Sequence, residues 1–162
     1  MERFKKLYEE EKILDDMFDE RYDNNSIETI EKNIIGLLVE LGELANEIRF
    51  FKYWSSKKPS NKDVILEEYS DCLMMLLSFC LKKGVSLNEN FKEVKHTSLM
   101  VQFKELFKLV SNLDKELDKD LLKEILSNLI NLGKLLNFTD EDIIEGGIKK
   151  MEKNKRRFEE GF

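Results

Sequence analysis

Two short stretches concentrate carboxylates where their neighbours are apolar. VELGELANE, residues 39–47, carries Glu40, Glu43 and Glu47, and ILEEYSD, residues 65–71, carries Glu68 and Asp71. At about 100° per residue, Leu37, Leu38, Leu41, Leu44, Ala45 and Ile48 share one helical arc. The three glutamates lie on its flank, Glu40 nearest the apolar edge. Glu68 and Asp71, at i and i+3, share a face with Val64, Met75 and Phe79 around them. From Cys72 to Leu81 only Ser78 is polar, so these acids head a helix expected to be buried on nearly every side. Unpaired carboxylates in a dry interior are costly, and such groups are paired or bind metal. Two facing helices, each with an acid-x-x-acid pair, would build an all-oxygen cage suited to Mg²⁺ or Mn²⁺. In a chain with 33 acidic residues most such pairs are solvated helix faces, and it is the second pair that favours a metal. A di-iron bundle would want Glu-x-x-His motifs, but the single histidine, His96, is distant from both pairs. Glu9–Glu11, Glu67 and Glu159–Glu160 read as surface charge.

The chain closes with IKKMEKNKRRFEEGF, residues 148–162. Lys150, Asn154 and Arg157 fall at i, i+4 and i+7, one helix face offering two cations and an amide. Arginine and lysine together are a common phosphate grip, although a basic last turn also simply complements the helix dipole. FFKYWSSKK, residues 50–58, adds Lys52 and the single tryptophan, Trp54, beside a loop. There an aromatic covers a base or sugar, or anchors the loop to the core.

Helical periodicity places these groups. Phe4, Leu7, Tyr8, Ile13, Leu14, Met17, Phe18 and Tyr22 mark a first helix over 4–22. NNS at 24–26 provides a break and an N-cap for a second over 27–51. YWSSKKPSNKD, residues 53–63, is the clearest loop, and a third helix over 62–83 ends at Gly84. Amphipathic segments follow at 98–110, 120–136 and from Thr139, where TDED offers a cap and an acidic first turn. With one proline and no repeat or linker, residues 1–162 are expected to form one all-α domain, a multi-helix bundle.

Composition narrows the function classes. A net charge of −6 argues against DNA or RNA binding, which calls for a basic face. No stretch reaches the roughly 18 apolar residues of a membrane span, and no leader is visible. Cys72 and Cys80 stand about two helical turns apart, too far for an internal bridge. Free buried thiols in a reducing cytoplasm are expected.

VELGELANEIRFFKYWS (39–55), VILEEYSD (64–71) and the tail K-x-x-x-N-x-x-R-x-x-x-G-F ending at Phe162 together resemble the dimeric all-α dUTPases, within the MazG-like pyrophosphohydrolases. SLMVQFKELFKLV resembles a later helix of that family, so the likeness runs from about Glu31 onward. The resemblance implies Mg²⁺ held by Glu40, Glu43, Glu68 and Asp71, with Glu43 orienting or deprotonating the attacking water. It implies cleavage of dUTP to dUMP and pyrophosphate, in a homodimer. Lys150, Asn154 and Arg157 map onto its phosphate-contacting tail, Phe162 onto an aromatic that folds over the nucleotide, and Lys52 and Trp54 onto a loop contacting phosphate and sugar or base. This chain departs from the family at Met74-Met75, where His-Phe is usual, at Phe162 in place of tyrosine, and at Glu11 in place of glutamine. The metal and phosphate residues are intact while the base-reading side is altered. A preference for dCTP or several pyrimidine deoxynucleotides is therefore the alternative substrate reading. A non-enzymatic acidic helical protein that binds a partner is the alternative of a different class.

Overall fold

The computed structural model describes residues 1–161, which form a 3₁₀ turn, Glu2–Phe4, and six α-helices with no strand among them. The helices are α1 (Lys5–Arg21), α2 (Ile27–Ile48), α3 (Lys62–Lys82), α4 (Leu99–Ser111), α5 (Lys119–Leu135) and α6 (Asp140–Glu160). The all-α expectation holds, and five of the six helices lie close to the bounds read from periodicity.

Local chemistry sets the boundaries. Ser26 Oγ accepts from the Thr29 amide at 3.2 Å to start α2, and Thr139 and Asp142 close a capping box on α6. Gly84, at φ 66°, turns the chain just beyond α3. The exception is the end of α2, which stops at Ile48 short of the expected Phe51. Arg49 adopts the left-handed region at φ 64°. Its guanidinium donates to Ser55 Oγ at 2.8 Å and to the Lys57 carbonyl at 3.2 Å, which holds FFKYWSSKK as successive turns.

The third helix is the axis of the bundle, packed against α1, α2, α5 and α6, while α4 joins α5 to α2. Its residues Tyr69, Cys72, Leu73, Met74, Leu76, Leu77, Phe79 and Cys80 are all buried, as the unbroken apolar run demanded. Both cysteines are free and buried, and burial pushes the Cys80 thiol up to about 12. Tyr69 fixes the rotation of α3. Its hydroxyl donates to the Leu129 carbonyl at 2.9 Å and its ring meets Phe138 edge-on at 5.6 Å. With Tyr69 and Ser70 locked inward, Glu68 and Asp71 are left half-buried on the other faces of the helix.

Small residues bring α6 close. A Cβ on Gly146 would lie 2.8 Å from Leu66 Cγ, and one on Gly147 2.7 Å from Leu7 Cδ2. One turn beyond this tight contact, Lys150 reaches the acids of α3. On the far side, Gln102 of α4 bridges Asn128 and Asn131 of α5, with bonds of 2.8 and 2.6 Å.

The Tyr69 lock is testable at Gly133, where a Cβ would lie 2.8 Å from the Tyr69 hydroxyl and 3.0 Å from Ile143. Gly133→Ala should destabilise the protein by about 1–3 kcal/mol through overpacking, despite alanine's better helix propensity. Gly42→Ala, where a Cβ would meet nothing within 4 Å, should instead stabilise by up to about 1 kcal/mol. Urea denaturation of both variants checks the pair.

Candidate active site

The second and third helices meet where their acids were expected to face each other. One carboxylate oxygen from each of Glu40, Glu68 and Asp71 lies within 4.8 Å of the others, and all three residues are half-buried. Glu43 is more exposed and stands beside this trio, hydrogen-bonded to Glu40 and close enough to Glu68 to influence it. Glu47 also lies near enough to raise Glu68, but it is engaged elsewhere: its carboxylate accepts from Ser60 Oγ and its carbonyl from the Ser60 amide at 3.0 Å, which ties the loop to α2.

These acids resist sharing one place as anions. Burial, then Asp71 and the Glu43 hydrogen bond, raise Glu40 to about 7. Burial, then Asp71 and Glu43, push Glu68 upward as well. Burial also raises Asp71, against the pull of a nearby ammonium. A site where crowding and desolvation both oppose the charged form gains most when a cation arrives.

One cation is already there. Lys150, 7% exposed, places Nζ 2.8 Å from Asp71 Oδ2 and 3.2 Å from Glu67 Oε1. Burial alone would depress this lysine, but the two carboxylates hold it above its ordinary value. Glu67, read from sequence as surface charge, also takes the Lys153 ammonium. Glu67 follows Leu66, which packs on Gly146, so the glycine-mediated approach of α6 carries both lysines to it.

On the other side of Asp71 a cavity of about 180 Å³ opens between α1, α2, α3 and α6. Asn33, Asn154, Asp15 and Glu11 supply its polar groups, Phe18 and Phe79 its aromatic walls. Asp15 accepts from Ser78 Oγ at 2.9 Å and faces Lys82 at 3.8 Å. Glu11, also taken for surface charge, is 5% exposed, and its Oε2 is buried without a hydrogen-bond partner. Burial, reinforced by Asp15, holds this carboxyl well above the ordinary range. Its signal was present in the chain: Leu7, Glu11, Leu14 and Phe18 recur at i, i+4, i+7 and i+11, one helix face.

The tail and loop residues divide. Lys150 and Asn154 both border Asp71, but Arg157 is exposed and lines neither cavity beside Asp71. Lys52 donates to Asn46 and lies 5.6 Å from the Phe51 ring centroid. Trp54, 66% exposed, meets Phe51 and Tyr53 edge-on. The turns after α2 thus hold Lys52 half-buried against Asn46 and turn Trp54 toward solvent. Phe162 lies outside the described residues.

A carboxyl kept neutral by burial makes stability depend on pH. The unfolded chain releases the Glu11 proton near the ordinary glutamate value while the folded chain retains it. Stability is therefore full below that value and falls as pH rises toward the folded pKa, by about 1.4 kcal/mol per pH unit. Glu11→Gln should remove this loss and gain more at pH 7 than at pH 5, as urea midpoints at the two pH values would show.

A profile of the dUTPase family matches residues 3–162. No curated protein matches the chain. The match takes in both acidic helices, the Lys150 face and the helix that carries Glu11, and on that extent the chain belongs to the dUTPase family.

Proposed function

We propose that this protein hydrolyses dUTP to dUMP and pyrophosphate with Mg²⁺, and that Glu40, Glu43, Glu68 and Asp71 are the groups that hold the ion. The convergence of three carboxylate oxygens within 4.8 Å beside Lys150 carries the reading. The donor set fits: hard oxygens, half-buried, with neither thiol among them and the histidine elsewhere, suit Mg²⁺ or Mn²⁺. When bound, such an ion supplies charge neutralisation on the phosphates and a water that ionises more readily.

The chain's own groups do the rest. Glu43, the most exposed of the four acids, orients the attacking water and accepts its proton. Lys150 is held against Asp71 as a preformed positive charge for a phosphate oxygen, and Asn154 offers its amide beside it. The 180 Å³ cavity beyond Asp71, with aromatic walls and amide groups, suits a sugar and pyrimidine ring. Arg157, Lys52 and Trp54 belong to segments that would meet the nucleotide from outside. Ile27, Ile35 and Val39 form an exposed apolar stripe on α2, which supports assembly as a homodimer. No helix among the described residues is long and apolar enough to cross a membrane, and we place the protein in the cytoplasm.

Pyrophosphate release from dUTP, dCTP, dTTP and UTP, each with Mg²⁺ and with EDTA, tests the reading. Metal-dependent turnover of dUTP is expected to dominate. A preference for dCTP would keep the chemistry and change the base, and silence with all four would overturn the assignment. Glu43→Gln should lower kcat about a hundredfold or more, the usual worth of a general base. Near-normal turnover by that variant would remove Glu43 from its role.

A further inference from the structure

The cavity beyond Asp71 contains one acid that the rest of the protein leaves unsatisfied. Glu11 is 5% exposed, and its Oε2 is buried without a hydrogen-bond partner. The other acids of that wall are provided for. Asp15 accepts from Ser78 Oγ at 2.9 Å and faces Lys82 at 3.8 Å, and Asp71 takes Lys150 at 2.8 Å. Both cations near the cavity are therefore engaged with acids other than Glu11. A carboxylate buried without a partner of its own is driven to take up a proton. Burial and the nearby Asp15 hold Glu11 in that neutral form, and Lys82 offsets them only in part.

A neutral carboxyl presents one O–H donor and one C=O acceptor side by side. Pyrimidine rings carry the matching pair on their edge. Uracil offers N3–H and O4, a donor and an acceptor, and cytosine offers N3 and N4–H₂, the same pair in reverse order. A site that separates the two fixes which of its own atoms donates, and then rejects the wrong edge by about ten-thousandfold. Nothing fixes the order at Glu11. Among the described residues no hydrogen bond holds its carboxyl, so the proton is free to sit on either oxygen. Phe18 and Phe79 offer a ring only apolar faces, and the Asn33 and Asn154 amides each carry a donor and an acceptor of their own.

We propose that Glu11 reads the pyrimidine ring through its unpartnered carboxyl and admits cytosine beside uracil, so that dCTP is a second substrate of the same site. The inference rests on the nucleotide reading above and deepens it. Cytosine N3 is a more basic acceptor than uracil O4, and an acid O–H is a stronger donor than an amide N–H. The carboxyl therefore favours cytosine more than an amide at the same place would.

Calorimetric titration of the full chain with dUMP and with dCMP measures base recognition without turnover. In the wild type the two dissociation constants should lie within about a hundredfold of each other, far short of rejection. Glu11→Gln keeps a donor and an acceptor but loses the acidic proton. It should hold dUMP within about threefold and weaken dCMP about tenfold. Glu11→Leu, which continues Leu7 and Leu14 on that helix face, should weaken both by about tenfold or more. A urea midpoint no lower than the wild type's separates that loss from unfolding. Rejection of dCMP by the wild type, or an unchanged ratio of the two affinities in Glu11→Gln, would overturn the inference. Absence of dUTP turnover would overturn the activity instead, and the titrations would still decide what Glu11 reads.

Discussion

A lysine almost closed off from solvent, with its ammonium against Asp71 and Glu67, is the interaction on which the site depends. Asp71 sits on the most deeply packed helix of the bundle, where an anion without a partner would be driven to protonate. Lys150 keeps that carboxylate in place, and Asp71 with Glu67 keeps the lysine charged despite its burial. Breaking either side would leave one buried charge uncompensated, which is far costlier than removing both. The same ammonium offsets part of the crowding among these acids, pulling down both Asp71 and Glu68.

Everything that positions this pair serves it through packing. Tyr69 sets the angle of α3, and Gly146 and Gly147 let α6 lie close enough for Lys150 to arrive. Ser60 ties the loop down to Glu47, so that α2 presents Glu40 and Glu43 while its third glutamate is occupied. The Gln102, Asn128 and Asn131 amides hold α4 to α5 behind the axis helix. The buried polar groups with partners define one arrangement of the helices. Glu11, which lacks one for Oε2, faces a cavity instead.

Much of this was legible in the sequence because it follows from local rules. Helical periodicity, the NNS break, the TDED box and Gly84 are short-range signals, and the helices formed accordingly. The convergence of Glu40, Glu68 and Asp71 was legible too, since acids beside an unbroken apolar run have few places to go. What escaped was set by tertiary contact. Glu11 and Glu67 sit in runs of charge, and composition made them look solvated. One is buried because its helix face continues Leu7 and Leu14, the other is paired because α6 delivers two lysines to it. Arg49 ends α2 early through bonds to Ser55 and Lys57, partners that periodicity cannot register.

The Tyr69 anchor bears on which changes of length the chain can accept. Adding or removing one residue within α3 between Glu68 and Tyr69 would turn Glu68 about 100° relative to Asp71 and to the ring that fixes the helix. The two acids would no longer share a face, and their convergence with Glu40 would be lost even with every side chain present. The segment from Phe50 to Pro59 crosses the surface as turns and is largely exposed, so its length can vary at small entropic cost. Among descendants of this chain, insertions should therefore collect between α2 and α3, while the stretch from Glu67 to Asp71 keeps its length.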